Sequence, residues 1–521
     1  MKSSTARKIY IILCIFLTCL ASFLLLLFKS DIFFVHKKLI SANDGQIADS
    51  LDGGVPPLVR EIEKVITDGM TRGKIPGLSV VAVSGGETLF KAGYGYADIG
   101  IGSPATSGTL FQLGSDSKAF TALGVLKLQK DGVIDLGDSI ASYIPWLKFY
   151  DGGKEADVTV GELLHHTSGI PARTIARIPE SDDESGGAIE STVKTFSGSE
   201  LDSPPGEKYE YATINYDILG LLIEYASGMR YEDYIQKYVL EPAGLHHTYL
   251  YQSQLKPEET AAGYKIGFFS PLYDKAPAYE GNKPAGYIVS SADDMALWLK
   301  LQLGTLPAAA LSPDLINASH TPDLSVPPFG ENMSYAAGWI VCDRDGTEIL
   351  HSGSNPNFSS FIDFRPSEKL GVAVLCNMNS AYTADIAQSV MALLAHRAAP
   401  AGVGDFYGMV DTICVFVLFA AVCADLISFE RLIRRLRSFR GDIAAKQPGE
   451  RHTAKIIFFT ALFLAIGAAL YELPSLAFGG VTWRYLFVWY PVSGRYALIS
   501  LCVLVGLTYL NVLLRPLRHR S

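Results

Sequence analysis

The segment Phe111-Gln112-Leu113-Gly114-Ser115-Asp116-Ser117-Lys118 sets a serine and a lysine three residues apart, directly after a glycine. Residues so spaced share one face of a helix, so the Lys118 amine can reach the Ser115 hydroxyl and activate it as a nucleophile without an imidazole base. Gly114 permits the sharp turn that presents it. The same Ser-x-x-Lys spacing occurs at Ser191/Lys194 and Ser253/Lys256. Only the first pair opens an apolar-periodic stretch, Phe120, Leu123, Leu126 and Leu128, which ends at Asp131-Gly132.

A serine nucleophile needs a group that passes a proton to the leaving group. Pro205-Gly206-Glu207-Lys208-Tyr209-Glu210-Tyr211-Ala212-Thr213-Ile214-Asn215-Tyr216 offers tyrosines at a turn leading into a helix. A phenol, with its ordinary pKa near 10, acts as a base only where a cation stabilises the phenolate, a role open to Lys118. Taken alone, a tyrosine here reads as structural. A third segment, His351-Ser352-Gly353-Ser354-Asn355, lies at a strand end. A small, glycine-containing edge strand brings backbone amides close to a substrate carbonyl.

The elements that must hold these groups fall between residues 56 and 397. Val59 to Met70 predicts an amphipathic helix, and Leu78 to Val83 with Thr88 to Tyr94 a hairpin around Gly85-Gly86. Helices are expected over Ser115 to Lys130, Asn215 to Ala226 and Ala292 to Leu303, the last with a capping box between Ser291 and Asp294. Strands return at Tyr335 to Cys342, Glu348 to His351, Ser359 to Phe364 and Val372 to Asn377, before a helix from Ala384 to His396. The fold class is therefore α+β, an antiparallel sheet built from both ends of the domain around a helical subdomain. The polar stretch Ser181 to Ser203 reads as a solvated loop near the site.

In this order and at these separations, the three segments resemble the penicillin-binding and class C β-lactamase superfamily of serine hydrolases, which includes DD-peptidases and esterases. The resemblance runs from about Ile62 to Ala395 and includes Asp157-Val158-Thr159-Val160-Gly161-Glu162-Leu163-Leu164-His165-His166-Thr167-Ser168-Gly169-Ile170-Pro171, Pro284-Ala285-Gly286-Tyr287 and Ser290-Ser291-Ala292-Asp293-Asp294-Met295. It implies Ser115 as the acylated nucleophile, Lys118 as its activating partner and Tyr211 as the proton-transferring phenol, with Tyr209 as a packing residue. It also implies that His351, Ser352 and Gly353 stand where the family often carries Lys-Thr-Gly, and that the amides of Ser115 and Ser354 form the oxyanion hole. Two positions depart from the pattern. Thr213 replaces the asparagine of Tyr-x-Asn, leaving one hydroxyl for an amide. Asn357 stands where glycine is usual, a change expected to narrow the pocket. With His351 in place of lysine, a weaker carboxylate anchor, these changes point to peptidase or esterase chemistry ahead of β-lactam hydrolysis.

The apolar excess sits at the two ends of the chain. Ile9 to Phe28 carries no charge for twenty residues, enough at about 1.5 Å per residue to span a bilayer. Lys2, Arg7 and Lys8 precede it, so residues 1–30 read as an uncleaved anchor with its N-terminus in the cytoplasm. Residues 408–514 hold three further spans, near Gly408 to Ser428, Ile456 to Tyr471 and Tyr496 to Leu514. The loop 429–455 carries Arg431, Arg434, Arg435, Arg437, Arg440, Lys446, Arg451 and Lys455, and Arg515, Arg518 and Arg520 follow the last span. Four crossings place every basic segment and both termini in the cytoplasm and the middle domain outside. The basic loop thus reads as topology with contact to anionic lipid, not as a nucleic-acid surface. Asp411, Asp425 and Glu472 read as interfacial carboxylates near the span ends.

Five of the seven cysteines fall in the apolar spans, leaving Cys342 and Cys376, and His165-His166 lacks helical ligand spacing. No metal site and no cofactor are expected. The leading expectation is a membrane-anchored extracytoplasmic serine hydrolase acting on D-amino-acid peptides or esters. A β-lactamase, and a non-catalytic membrane sensor of wall fragments, are the alternatives; protein partners of the last three spans stay open.

Overall fold

The computed structural model describes residues 43–44, 46–47, 57–308, 310–343, 346–399, 402, 404–439 and 450–514. The expected anchor at Ile9 to Phe28 and the centre of the basic loop lie outside the described residues.

The chain divides into two compact units. The larger is built on an antiparallel sheet of β1 (Gln46–Ile47), β2 (Gly77–Ser84), β3 (Glu87–Asp98), β4 (Met333–Tyr335), β5 (Ile340–Asp343), β6 (Thr347–Asn355), β7 (Phe358–Arg365) and β8 (Leu370–Cys376). Their spatial order is β1-β3-β2-β8-β7-β6-β5-β4, with Ser103–Pro104 pairing off that path. The N-terminal hairpin joins the C-terminal strands through β2 and β8, where Val80 pairs with Val374. The expected sheet from both ends of the domain is thus formed.

Alternation along β2 shows how the sheet is covered on both faces. Leu78, Val80 and Ala82 enter one core, while Val81 and Val83 enter the other. The first core is closed by α1 (Pro57–Gly73) against α5 (Tyr382–Leu394). Their approach requires Gly69, because a Cβ there would stand 2.4 Å from Ile386 Cγ1. The second core holds α2 (Lys118–Lys130), α3 (Ile214–Ser227) and α4 (Ala292–Gln302). Phe120 of α2 stacks on Trp298 of α4 at 4.0 Å between ring centres.

Three local expectations change. Tyr335 to Cys342 is not one strand but the ends of β4 and β5, separated by a turn with Gly338 at φ +79°. A Cβ on Gly338 would lie 2.6 Å from Ala119 Cα, so the strand breaks where it crosses the start of α2. Ser181 to Ser203 is not wholly a solvated loop: Ala188–Lys194 is helical, and Ile189, Val193, Phe196 and Leu201 are buried. At α4 the Ser291 hydroxyl accepts from Asp294 N, but the Asp294 carboxylate does not return the bond. It accepts instead from His247 N and Thr248 Oγ1, each at 2.7 Å.

The smaller unit comprises Ile266–Leu272 and the helices from Phe406 onward. These are α6 (Phe406–Phe439), α7 (Glu450–Phe478) and α8 (Val492–Leu513). Among the described residues three helices, not four, are long and apolar enough to cross a membrane. Polar pairs tie α8 to α6: Ser500 Oγ donates to Asp425 at 2.7 Å, and Asn511 Nδ2 to Ser428 O at 2.7 Å. Asp411, near the start of α6, is 1% exposed. It accepts from Ser493 Oγ at 2.6 Å and from the amides of Phe268 and Phe269 at 2.9 and 2.7 Å. Both phenylalanines have positive φ, a conformation that turns successive N–H groups toward one anion.

Candidate active site

Ser115 lies in a single 3-10 turn, Gly114–Ser117, from which α2 continues at Lys118. The turn sits against β6. A Cβ on Gly114 would meet Ser354 N at 2.4 Å, and one on Gly353 would meet Leu113 O at 1.9 Å. Gly114 also has φ +51°, so both glycines are required by the contact between nucleophile turn and strand. The Ser360 hydroxyl on β7 fastens the turn from behind, donating to Leu113 O at 2.5 Å and contacting the Asp116 carboxylate.

Lys118 is wholly buried. Its Nζ donates to Ser115 Oγ at 3.0 Å and to the Ala285 carbonyl at 2.7 Å. Burial lowers its pKa to about 7, although Asp217 and Asp116 oppose the shift. The nitrogen stands 5.0 Å from the centre of the Tyr211 ring. The Tyr211 hydroxyl faces Ser115, whose hydrogen bonding draws its pKa down, but burial outweighs this and keeps the phenol protonated well above its ordinary range. The contact is too open to count as a formed hydrogen bond, so the buried oxygen still has capacity for a substrate atom. Of the two groups, Lys118 is thus the one that gives up its proton at the lower pH. That differs from the expectation that Lys118 makes Tyr211 a base.

His351 reaches this cluster but is only 2% exposed. Its Nε2 lies 3.1 Å from the Tyr335 hydroxyl, its Nδ1 2.9 Å from Ser352 O and 3.8 Å from Asp116 Oδ1. Burial, then the Lys118 charge, lower its pKa to about 3, so the ring is neutral. On the same strand Ser352 and Ser354 are exposed. Thr213 opens α3, 6% exposed and without a side-chain cap bond. Asn357 Nδ2 donates to Asp274 O at 2.8 Å, and the side chain packs where Gly263 leaves room.

The other Ser-x-x-Lys pairs are outside this assembly. Lys194 pairs with Glu190 on an exposed helix face, and Lys256 pairs with Glu259. Sequence reasoning missed Asn355, whose Nδ2 donates to Gln112 Oε1 at 2.7 Å and Gly286 O at 2.9 Å. It also missed the Ala285 carbonyl, the buried Asp116, and Tyr335. The segment Pro284-Ala285-Gly286-Tyr287 was the available signal for the Ala285 carbonyl. Among the described residues no group of histidine, cysteine or carboxylate side chains is arranged to hold a metal.

A family model described as Beta-lactamase matches residues 62–395, well over half of the chain. The chain belongs to the β-lactamase family. It is a serine-hydrolase-type enzyme of that family with candidate membrane helices appended. Protein flp of Staphylococcus aureus is 29% identical over 459 residues, covering 87% of this chain and 90% of its own. Penicillin-binding protein 4* of Bacillus subtilis is 29% identical over 302 residues, 55% of this chain and 66% of its own. Among solved structures, an octameric penicillin-binding protein homologue from Pyrococcus abyssi superposes with a TM-score of 0.58 at 27% identity, over 68% of this chain and 81% of its own. EstCE1, a hydrolase with promiscuous acyltransferase activity, shares the fold at a TM-score of 0.54 and 20% identity, over 62% of this chain and 94% of its own.

Proposed function

We propose that this β-lactamase-family enzyme is a membrane-held hydrolase that works outside the cytoplasm through an acyl-enzyme on Ser115, with D-amino-acid esters or peptides as substrates. The observation that carries the reading is the 3.0 Å contact between Ser115 Oγ and a buried Lys118 whose pKa is near neutrality. Lys118 accepts the serine proton as Oγ attacks the scissile carbonyl. The amides of Ser115 and Ser354 receive the developing oxyanion, each worth about 3 kcal/mol. Tyr211 protonates the leaving group and regains its proton from Lys118; water then repeats the sequence to release the acid. The extracytoplasmic side is read from the basic residues in the last turns of α6, Arg431 to Arg437.

Esters and amides without a free carboxylate stand ahead of β-lactams and carboxy-terminal dipeptides. A carboxylate at the His351 position would meet a ring that is 2% exposed and neutral rather than a cation. The test is labelling of membranes with a fluorescent phosphonate, alongside turnover of p-nitrophenyl esters and nitrocefin, in wild type and Ser115→Ala. The reading requires label and ester turnover that vanish in Ser115→Ala, and ester turnover faster than nitrocefin turnover. Specific label that persists in Ser115→Ala overturns it.

A further inference from the structure

Tyr211 stands on the stretch 209–212, which belongs to neither helix nor strand, and its buried hydroxyl makes no formed hydrogen bond. The phenol is therefore located neither by a ladder nor by a bond at its own oxygen. What flanks it is a single residue of another segment, His166. The His166 carbonyl accepts from Glu210 N at 2.8 Å, and its Nδ1 accepts from Ala212 N at 3.4 Å. One residue thus holds the peptide on each side of Tyr211. Its ring centre lies 4.3 Å from that of Tyr211.

Glycine would serve the turn at this position better. The short helix Val160–Leu164 ends with Thr167 N donating to Glu162 O at 2.8 Å and His166 N to Leu163 O at 3.4 Å. That is the Schellman pattern, whose left-handed residue is most often glycine. His166 takes φ +56° there and accepts the strain that a Cβ brings. Its ring is held in one state. A backbone N–H only donates, so Nδ1, which receives Ala212 N, is the unprotonated nitrogen. Asn215 Nδ2 joins it at 3.0 Å, and Ser168 Oγ keeps that amide in place by donating to Asn215 Oδ1 at 3.1 Å. The ring proton is then on Nε2, which is buried and has no hydrogen-bond partner among the described residues. Burial, then the charge of Lys118, hold the pKa of the ring well below its ordinary value, so the neutral acceptor persists. A strained backbone and an unpaired Nε2–H are both costs, and the acceptor at Nδ1 is what they maintain.

We propose that His166 is the positioning residue of Tyr211, its carbonyl and its Nδ1 acceptor together holding the phenol toward Ser115 for proton transfer to the leaving group. The proposal rests on the acyl-enzyme reading above. The full chain in detergent is to be assayed with an ethyl and a p-nitrophenyl ester of one acid, with rates taken per phosphonate-titrated site. The proteins are wild type, Tyr211→Phe, His166→Asn, His166→Gln and Tyr211→Phe/His166→Gln. Asn sets its oxygen where Nδ1 stands and tolerates positive φ, whereas Gln carries the same amide one carbon too far. His166→Gln should lower kcat for the ethyl ester about 10- to 10²-fold, the scale of a group misplaced by about 1 Å, with KM and p-nitrophenyl turnover within about threefold of wild type. His166→Asn should restore most of the ethyl ester turnover. In the Tyr211→Phe background His166→Gln should cost nothing further on the ethyl ester, because the group it positions is gone. Where Tyr211→Phe is selective for the ethyl ester, three results each overturn the positioning role and leave the acyl-enzyme reading standing. These are equal losses on both esters in His166→Gln, equal behaviour of the Asn and Gln variants, and a further loss in the double variant. A Tyr211→Phe loss that is equal on both esters removes the phenol from the reading and His166 with it. Absence of Ser115-dependent turnover of either ester overturns the acyl-enzyme reading, and the inference falls with it. If His166→Gln yields no phosphonate-labelled site, His166→Gly, whose backbone suits the turn, takes its place under the same outcomes.

Discussion

Lys118 Nζ stands 3.0 Å from Ser115 Oγ and 2.7 Å from the Ala285 carbonyl, so the amine is aimed at Ser115 by a backbone oxygen from a different segment. A lysine held this way, stripped of water, has its charged form penalised. Its pKa of about 7 is the basis of the first prediction. The catalytic form is the neutral amine, so kcat/KM for a neutral ester should rise with pH and level off above a midpoint near 7. The buried Tyr211 phenol, raised by desolvation, should add no descending limb through the mildly alkaline range. A pH–rate profile on the neutral ester checks both. Lys118→Arg should eliminate the ascending limb together with most of the activity, because a guanidinium does not deprotonate.

The same depressed pKa has a stability consequence. Below the folded pKa of about 7, Lys118 is charged in both states and the burial penalty is fully present. From there up to the unfolded value of 10.5 the unfolded chain binds more protons, so the contribution of this group to stability rises with pH. Lys118→Met should be flatter than wild type across that window. Denaturant midpoints measured at several pH values provide the comparison; a slope in the opposite sense would reject a buried, depressed lysine.

Tyr211→Phe removes a hydroxyl that makes no formed hydrogen bond in the free enzyme, so thermal stability should change little. Catalysis should fall by about 10²- to 10⁴-fold for alkyl esters and amides, whose leaving groups need a proton. p-Nitrophenyl esters leave as stable anions and should lose much less. The leaving-group dependence of the two variants, plotted together, measures the role. Equal losses across leaving groups would make Tyr211 a packing residue.

How much of this was legible beforehand depended on whether the cause was local. Glycine and apolar periodicity mark α2 and α3 within their own segments, and alternation marks the strands that meet from both ends of the domain. The break between β4 and β5 was hidden because it arises from Ala119 pressing on Gly338, residues more than two hundred positions apart. His351 was read as a group presented to substrate. Its burial depends on Tyr335 and Asp116, contributed by another strand and by the nucleophile turn. The bond from Asn357 to the Asp274 carbonyl likewise joins residues 83 positions apart. Asp411 gave no sign in its own helix of the two loop amides it receives.

Gly114→Ala tests the fit of the nucleophile turn to β6. The added Cβ would meet Ser354 N at 2.4 Å from a backbone at φ +51°, so clash and conformational strain act together. The turn must move away from the strand, separating the two amides of the oxyanion hole. The expected outcome is a loss of activity of about 10²-fold or more, the scale of one oxyanion donor, with destabilisation of about 1–3 kcal/mol. Phosphonate labelling rate and thermal midpoint, measured on the same preparation, separate a displaced turn from an unfolded domain.

The buried ion pairs around Lys283 should be a sensitive electrostatic element of the hydrolase unit. Lys283 is wholly buried and bridges Glu232 at 3.1 Å and Glu280. Removing a single partner from such a group leaves an uncompensated charge out of water, at about 3–5 kcal/mol. Lys283→Met leaves Glu280 without its cation and Glu232 with Arg230 alone, 3.5 Å away, and should show most of that loss. Glu232→Gln should cost less, since Lys283 retains Glu280 and the amide still accepts a hydrogen bond. The triple replacement of Lys283, Glu232 and Glu280 by apolar residues of similar volume should recover much of the stability, because the desolvation penalty disappears with the charges. Denaturation curves taken on the same three variants provide the comparison.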